Sequence, residues 1–80
     1  MPRFFFDVSE KADVYHDASG IILPSFGAAR ERALAIVRRL EATPRAEDDL
    51  VCTVHDIGGR RLLQIRFQSG KPVYSSPITR

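Results

Sequence analysis

Two histidines stand beside carboxylates, His16 next to Asp17 and His55 next to Asp56, and they are the first residues to weigh for proton transfer or metal binding. Neighbouring residues on an extended chain point to opposite faces, so neither pair can share a proton or a metal within itself. A working site would need His16 and His55 brought together across a sheet with a third ligand. No Cys-x-x-Cys, His-x-x-x-His or related spacing supports one. Asp17 reads better as a turn residue whose carboxylate accepts from nearby backbone amides. Cys52 is the single cysteine, and a nucleophilic role would require a helix N-terminus or a cation to stabilise its thiolate. The hairpin described below gives it a core position instead, as a small buried hydrophobe. Ser19, Ser25 and Ser69 lack the context of a triad or a nucleophile elbow. The chain is therefore read as not an enzyme, with no catalytic residue, cofactor or metal expected.

The strongest functional signal is basic. Arg32, Arg38 and Arg39 fall on the outward face of a helix, with Arg45 just beyond, and such guanidinium groups can contact phosphates. Arg60, Arg61 and Arg66 extend the set, while Glu31 and Glu41 partly compensate it, as on an ordinary solvated face. There is no second helix for a helix-turn-helix and no aromatic ribonucleoprotein signature. The formal charge of +2 is blocky: −2 over residues 1–20, +3 over 21–46, −4 over 47–59 and +5 over 60–80. A general nucleic-acid binder carries a larger, one-signed excess, so the blocks favour self-association or steered docking.

The elements that must position these groups follow from period and punctuation. Arg3 to Val8 is a strand by its aromatic and β-branched content, with Phe4, Phe6 and Val8 on one face and Arg3, Phe5 and Asp7 on the other. A polar loop from Ser9 to Asp13 and a short extended piece, Val14 to His16, come next. Asp17 to Gly20 is a turn, and Ile21 to Leu23 is extended again. Pro24 and Ser25 set a helix start, Ser25 as N-cap. Phe26, Ala29, Ala33, Ile36, Val37 and Leu40 then fall in one stripe roughly 100° wide, that of a core-facing helix. Thr43 and Pro44 end it, and a polar connection runs from Arg45 to Asp49. Gly58 and Gly59 centre a hairpin that sets Asp56 opposite Arg61, Val54 opposite Leu63, Cys52 opposite Ile65 and Leu50 opposite Phe67. Its other face pairs Val51 with Arg66, Thr53 with Gln64 and His55 with Leu62. After Phe67, Pro72, Pro77 and several Ser argue against a central strand.

Eighty residues supply one core, and 44% hydrophobic with 28% charged residues is a globular balance. The expectation is a single α+β domain over residues 1–67 and a flexible tail over 68–80. Its sheet is small and antiparallel, in strand-strand-helix-strand-strand order, with one amphipathic helix on one face. The opening residues lack the apolar core and cleavage site of a signal peptide, and no stretch approaches a membrane span. With a lone cysteine, this reads as a cytoplasmic protein.

Several of these residues also resemble a family of short, uncharacterised bacterial proteins classed as a domain of unknown function. The carriers are Met1, Pro2, Arg3, Phe4, Phe5 and Phe6; then Asp17, Gly20, Leu23 and Pro24 leading into Ala28, Ala29 and Ala33; and in the second half Val54, Asp56, Gly59, Leu62 and Phe67. The resemblance spans roughly residues 1 to 67 and implies the same element order. It brings no activity and no site residues. Ile57 and Gly58 make the hairpin turn less polar than the pattern suggests.

The functional expectation is a small non-catalytic interaction or regulatory module that homodimerises and acts with a protein partner. One helix covers one face of a sheet, and the other face carries Phe5, Val51 and Leu62 as a candidate dimer surface among Thr53, His55, Gln64 and Arg66. Val73 and Tyr74 of the tail could alternatively cover part of it. The alternative function is a nucleic-acid-binding or antitoxin-like regulator using Arg32, Arg38 and Arg39.

Overall fold

Alternation along Arg3–Glu10 makes β1, with Phe4 and Phe6 buried on one side and Arg3, Phe5 and Asp7 turned to the other. The computed structural model describes residues 2–10, 13–41, 50–68 and 71–75. The remaining elements are β2 (Asp13–Tyr15), β3 (Ile21–Ile22), α1 (Phe26–Glu41), β4 (Leu50–Asp56), β5 (Arg61–Gln68) and β6 (Lys71–Ser75). All pairings are antiparallel, and the sheet order is β2-β1-β4-β5-β6 with β3 also paired to β1. The fold is α+β with one helix on the sheet, as expected, but among the described residues the strands are six.

Two differences account for the count. The extended chain before the helix is two short strands, because the turn at Asp17–Gly20 separates them and each meets a different part of β1. The expected loop from Ser9 is also partly strand: β1 continues through Glu10, and β2 begins at Asp13. The second difference lies in the expected tail, where Lys71–Ser75 pairs with β5 as an edge strand. Proline is excluded from central strands but not from edges, and Pro72 stands opposite Phe67 on the outermost strand. Residues 69–70 and 76–80 of that tail, and the expected helix stop at Thr43 and Pro44 with the Arg45–Asp49 connection, lie outside the described residues.

Ser25 caps α1 as expected, its Oγ accepting from Ala28 N–H at 3.1 Å. The buried line of the helix is Ala29, Ala33 and Val37, at i, i+4 and i+8, flanked by the half-buried Leu34, Ile36 and Leu40. These small residues meet the core face of β4 and β5, where Leu50, Cys52, Val54, Leu63, Ile65 and Phe67 are all buried. Phe26 belongs to the stripe by angle but stays 39% exposed in the first turn. Periodicity sets the direction of a face, not how far the sheet extends beneath it.

The β4–β5 hairpin keeps the expected register from Val51–Arg66 to Val54–Leu63 and then departs from it. His55 pairs with Arg61 rather than Leu62, and Asp56 N–H donates to Arg60 O at 3.0 Å in place of a pairing with Arg61. The cause is a three-residue loop rather than a Gly58–Gly59 two-residue turn. Gly59 N–H donates to Asp56 O at 3.0 Å, and Gly59 alone of the two glycines takes positive φ, at 86°. The odd residue is absorbed as a bulge at Leu62. Among the described residues no helix is long and apolar enough to cross a membrane.

Candidate functional site

The chemistry-bearing residues collect where β1 lacks a strand neighbour. β4 runs along one edge of β1, while the other edge is served by β3 at Arg3 and Phe4 and by β2 from Val8 to Glu10. Between them the Phe6 N–H has no strand to meet, and it donates to Asp17 Oδ2 at 3.1 Å. The other Asp17 oxygen accepts from Ser19 N–H at 3.2 Å and Gly20 N–H at 3.0 Å. Asp17 N–H donates in turn to Asp7 Oδ1 at 2.9 Å. Two carboxylates thus stand in for the missing strand and hold residues 16–20 at the sheet edge.

Gly20 is required at this point. It takes φ of 73°, and a Cβ there would lie 2.8 Å from Phe5 Cε2 and 2.9 Å from Arg3 Cγ. Arg3 Nη1 adds a hydrogen bond to Ser19 O at 2.8 Å.

Asp7 Oδ2 faces two imidazoles, His55 Nε2 at 3.1 Å and His16 Nδ1 at 3.4 Å. The His55 ring stacks on Phe5 with centroids 5.4 Å apart and planes 10° apart, and its Nδ1 lies 3.3 Å from Asp56 O. His16 is 77% exposed along its side chain. His16 and His55, which the sequence could join only across the sheet, thus both reach one carboxylate, that of Asp7. Alternation in the sequence places Asp7 on this face but does not pair it, because β1 and β4 are joined through the helix and no hairpin turn sets their register.

Partial burial pushes the Asp7 carboxyl up, but hydrogen bonds from Asp17 N–H, His16 and His55, with the charge of His55, bring it below the ordinary carboxylate range. At Asp17 burial again raises, the amides of Gly20, Phe6 and Ser19 lower, and the result is also depressed. Both carboxylates are held ionised by donors that belong to the fold. Among the described residues no group of three or more His, Cys, Asp or Glu is arranged to hold a metal ion. Asp56, beside His55, is a turn residue: its Oδ1 accepts from Gly58 N–H and Arg60 N–H, each at 2.9 Å. Cys52 is fully buried, and burial pushes its thiol up to about 12, with a smaller rise from the charge of Asp7. That thiol is a core atom.

The expected dimer face is redistributed. Phe5 is flanked by the His55 ring on β4 and by Gly20 on the other edge, so the chain itself covers it in part. Leu62, displaced by the bulge, packs against the core cluster. Val51 does lie on the open face, in a row that crosses the whole sheet as Val14, Ser9, Val51, Arg66 and Val73. Val14 is 53% and Val73 44% exposed, so Val73 extends the patch, whereas Tyr74 turns to the helix side and packs near the core. Below this row run Asp7, Thr53, Gln64 and Ser75, with Gln64 Nε2 donating to Thr53 Oγ1 at 3.3 Å.

The basic residues do not form one row. Arg32, Arg38 and Arg39 are exposed, and Arg32 and Arg39 border a common depression whose described lining does not include Arg38. Arg30, which the sequence left unassigned, places its guanidinium carbon 4.6 Å from the centre of the Tyr74 ring.

Fold and site together define a small α+β domain whose histidines and carboxylates brace one edge of an otherwise open sheet. Residues 3–68 match the family described as Domain of unknown function (DUF6894), and the chain belongs to it. No curated protein and no solved structure matches the chain.

Proposed function

We propose that the domain is a non-catalytic interaction module that self-associates through the sheet face its helix leaves open. The observation that carries this reading is the row Val14, Ser9, Val51, Arg66, Val73, which crosses five strands with an exposed valine at each end. β4 is the middle strand, so a two-fold axis along it would set Val51 on its copy and Val14 on the copy's Val73. Arg66 would meet Ser9 rather than another Arg66. The row is thus self-complementary in packing and sets no like charges against each other.

The edges support a face rather than an edge contact, since β2 has three residues and β6 carries Pro72, both poor templates for strand addition. Five strands at about 4.8 Å and seven residues at about 3.4 Å make a face of roughly 19 by 24 Å, at the small end for a stable interface. A dimer that dissociates on dilution is the consequence. The non-catalytic reading rests on the employment of the titratable groups, because Asp7 and Asp17 hold backbone amides and Cys52 fills the core. A single buried thiol suits a reducing, cytoplasmic setting.

Light scattering after size exclusion tests the proposal. The wild-type mass should rise toward that of a dimer as concentration increases, and Val73→Asp, at an exposed edge position, should hold it at the monomer. A wild-type chain that stays monomeric at hundreds of micromolar, or a Val73→Asp variant that still dimerises, refutes it.

A further inference from the structure

Arg32, Ala35, Ile36 and Arg39 line a depression of about 130 Å³ on the outer flank of α1. At 100° per residue Arg32 and Arg39 stand almost on one line of the helix, about 10 Å apart along it, while Arg38 lies about 100° further round. The floor is apolar: Ala35 is exposed, and Ile36 reaches the core cluster from the same side. Among the described residues neither Arg32 nor Arg39 is paired with a carboxylate. Arg30, by contrast, is held against Tyr74 on the other flank.

We propose that this depression binds an acidic peptide segment, one that presents two carboxylates about 10 Å apart with an apolar side chain between them. Charge chooses this occupant. A second copy would bring its own arginines against Arg32 and Arg39, so the helix flank does not dimerise. A nucleic acid would find two phosphate contacts and no aromatic platform on this flank, which supplies little affinity at physiological salt. A carboxylate at each guanidinium and a small hydrophobe on Ala35 and Ile36 match the described lining of the depression. The site lies on the helix side of the sheet, so it does not depend on self-association through the opposite face.

The test is fluorescence anisotropy with a short labelled helical peptide carrying Glu, then Leu three residues on, then Glu seven residues after the first. Controls are its Gln-substituted twin and a labelled single-stranded oligonucleotide. Saturable binding of the Glu peptide should weaken about tenfold in Arg32→Ala and in Arg39→Ala, and by less than about twofold in Arg38→Ala. All three positions are exposed, so the variants should keep the wild-type circular dichroism. Equal weakening by Arg38→Ala would mean diffuse charge attraction and overturn the site. Tighter binding of the oligonucleotide than of the Glu peptide, or no saturable binding of either, would overturn it as well.

Discussion

The two faces of the sheet are written by the same alternation yet closed by different means. On the helix side, Phe4, Phe6, Cys52, Val54, Leu63 and Ile65 meet the small residues of α1, and burial of apolar area holds the contact. On the open side, Phe5 and Asp7, beside His55, meet the segment from His16 to Gly20, and directed hydrogen bonds hold it. The contrast teaches that a small sheet can cover one face with a helix and brace part of the other with two aspartates. It also predicts different failures. Damage to the first face should unfold the domain, whereas damage to the second should free a segment, in a pH-dependent manner.

The largest effect is expected at Ile65, fully buried in the middle of the sheet. Ile65→Ala should cost about 2–5 kcal/mol, a large share of the stability of so small a domain, while Ile36→Ala at the half-buried helix flank should cost distinctly less. Urea unfolding of both variants checks the ranking, and equal midpoints would mean that the helix, not the sheet, centres the core.

Next in size are the two glycines at positive φ. Gly20→Ala meets the Phe5 ring, the Arg3 side chain and Phe4 O, whereas Gly59→Ala meets nothing within 4 Å. Backbone strain alone should cost Gly59→Ala about 1 kcal/mol, and Gly20→Ala should exceed it by the clash, reaching about 2–3 kcal/mol. Similar melting temperatures for the two variants would show that the segment over Phe5 shifts at little cost.

The smallest effect is the acid response of the aspartate brace. Asp7 and Asp17 are depressed in the folded state, so their contribution is complete above the unfolded carboxylate value and is lost as pH falls through the folded one. Stability should therefore decline as pH drops from about 5 toward 3, and Asp17→Asn should flatten that decline. The same variant should cost about 1–2 kcal/mol at neutral pH, since an amide nitrogen would face the Phe6 N–H. His16→Ala, at the exposed end of the cluster, should change stability by less than about 0.5 kcal/mol. Amide exchange at Phe6, Asp17 and Gly20 across this pH range reads the brace directly, and pH-independent protection there would show that the carboxylates do not hold the segment.

The sequence alone determined what local rules control. Parity assigned Phe4, Phe6 and Asp7 to their faces, Ser25 capped the helix, and Asp17 with Gly20 made the turn, because each depends on residues within a few positions of itself. It also set the first four hairpin pairs, since a one-residue slip would have set polar against apolar side chains. Long-range pairing was left to the tertiary structure. The register of β1 on β4 brings Phe5 to His55 and lets Asp7 reach both His55 and His16, and 48 residues separate Asp7 from His55. No local rule operates over that distance. The bulge that turns Leu62 to the core and the docking of β6 despite Pro72 have the same origin. Each is decided by which surfaces meet once the chain has closed, and a side chain's period shows its direction but not what it finds there.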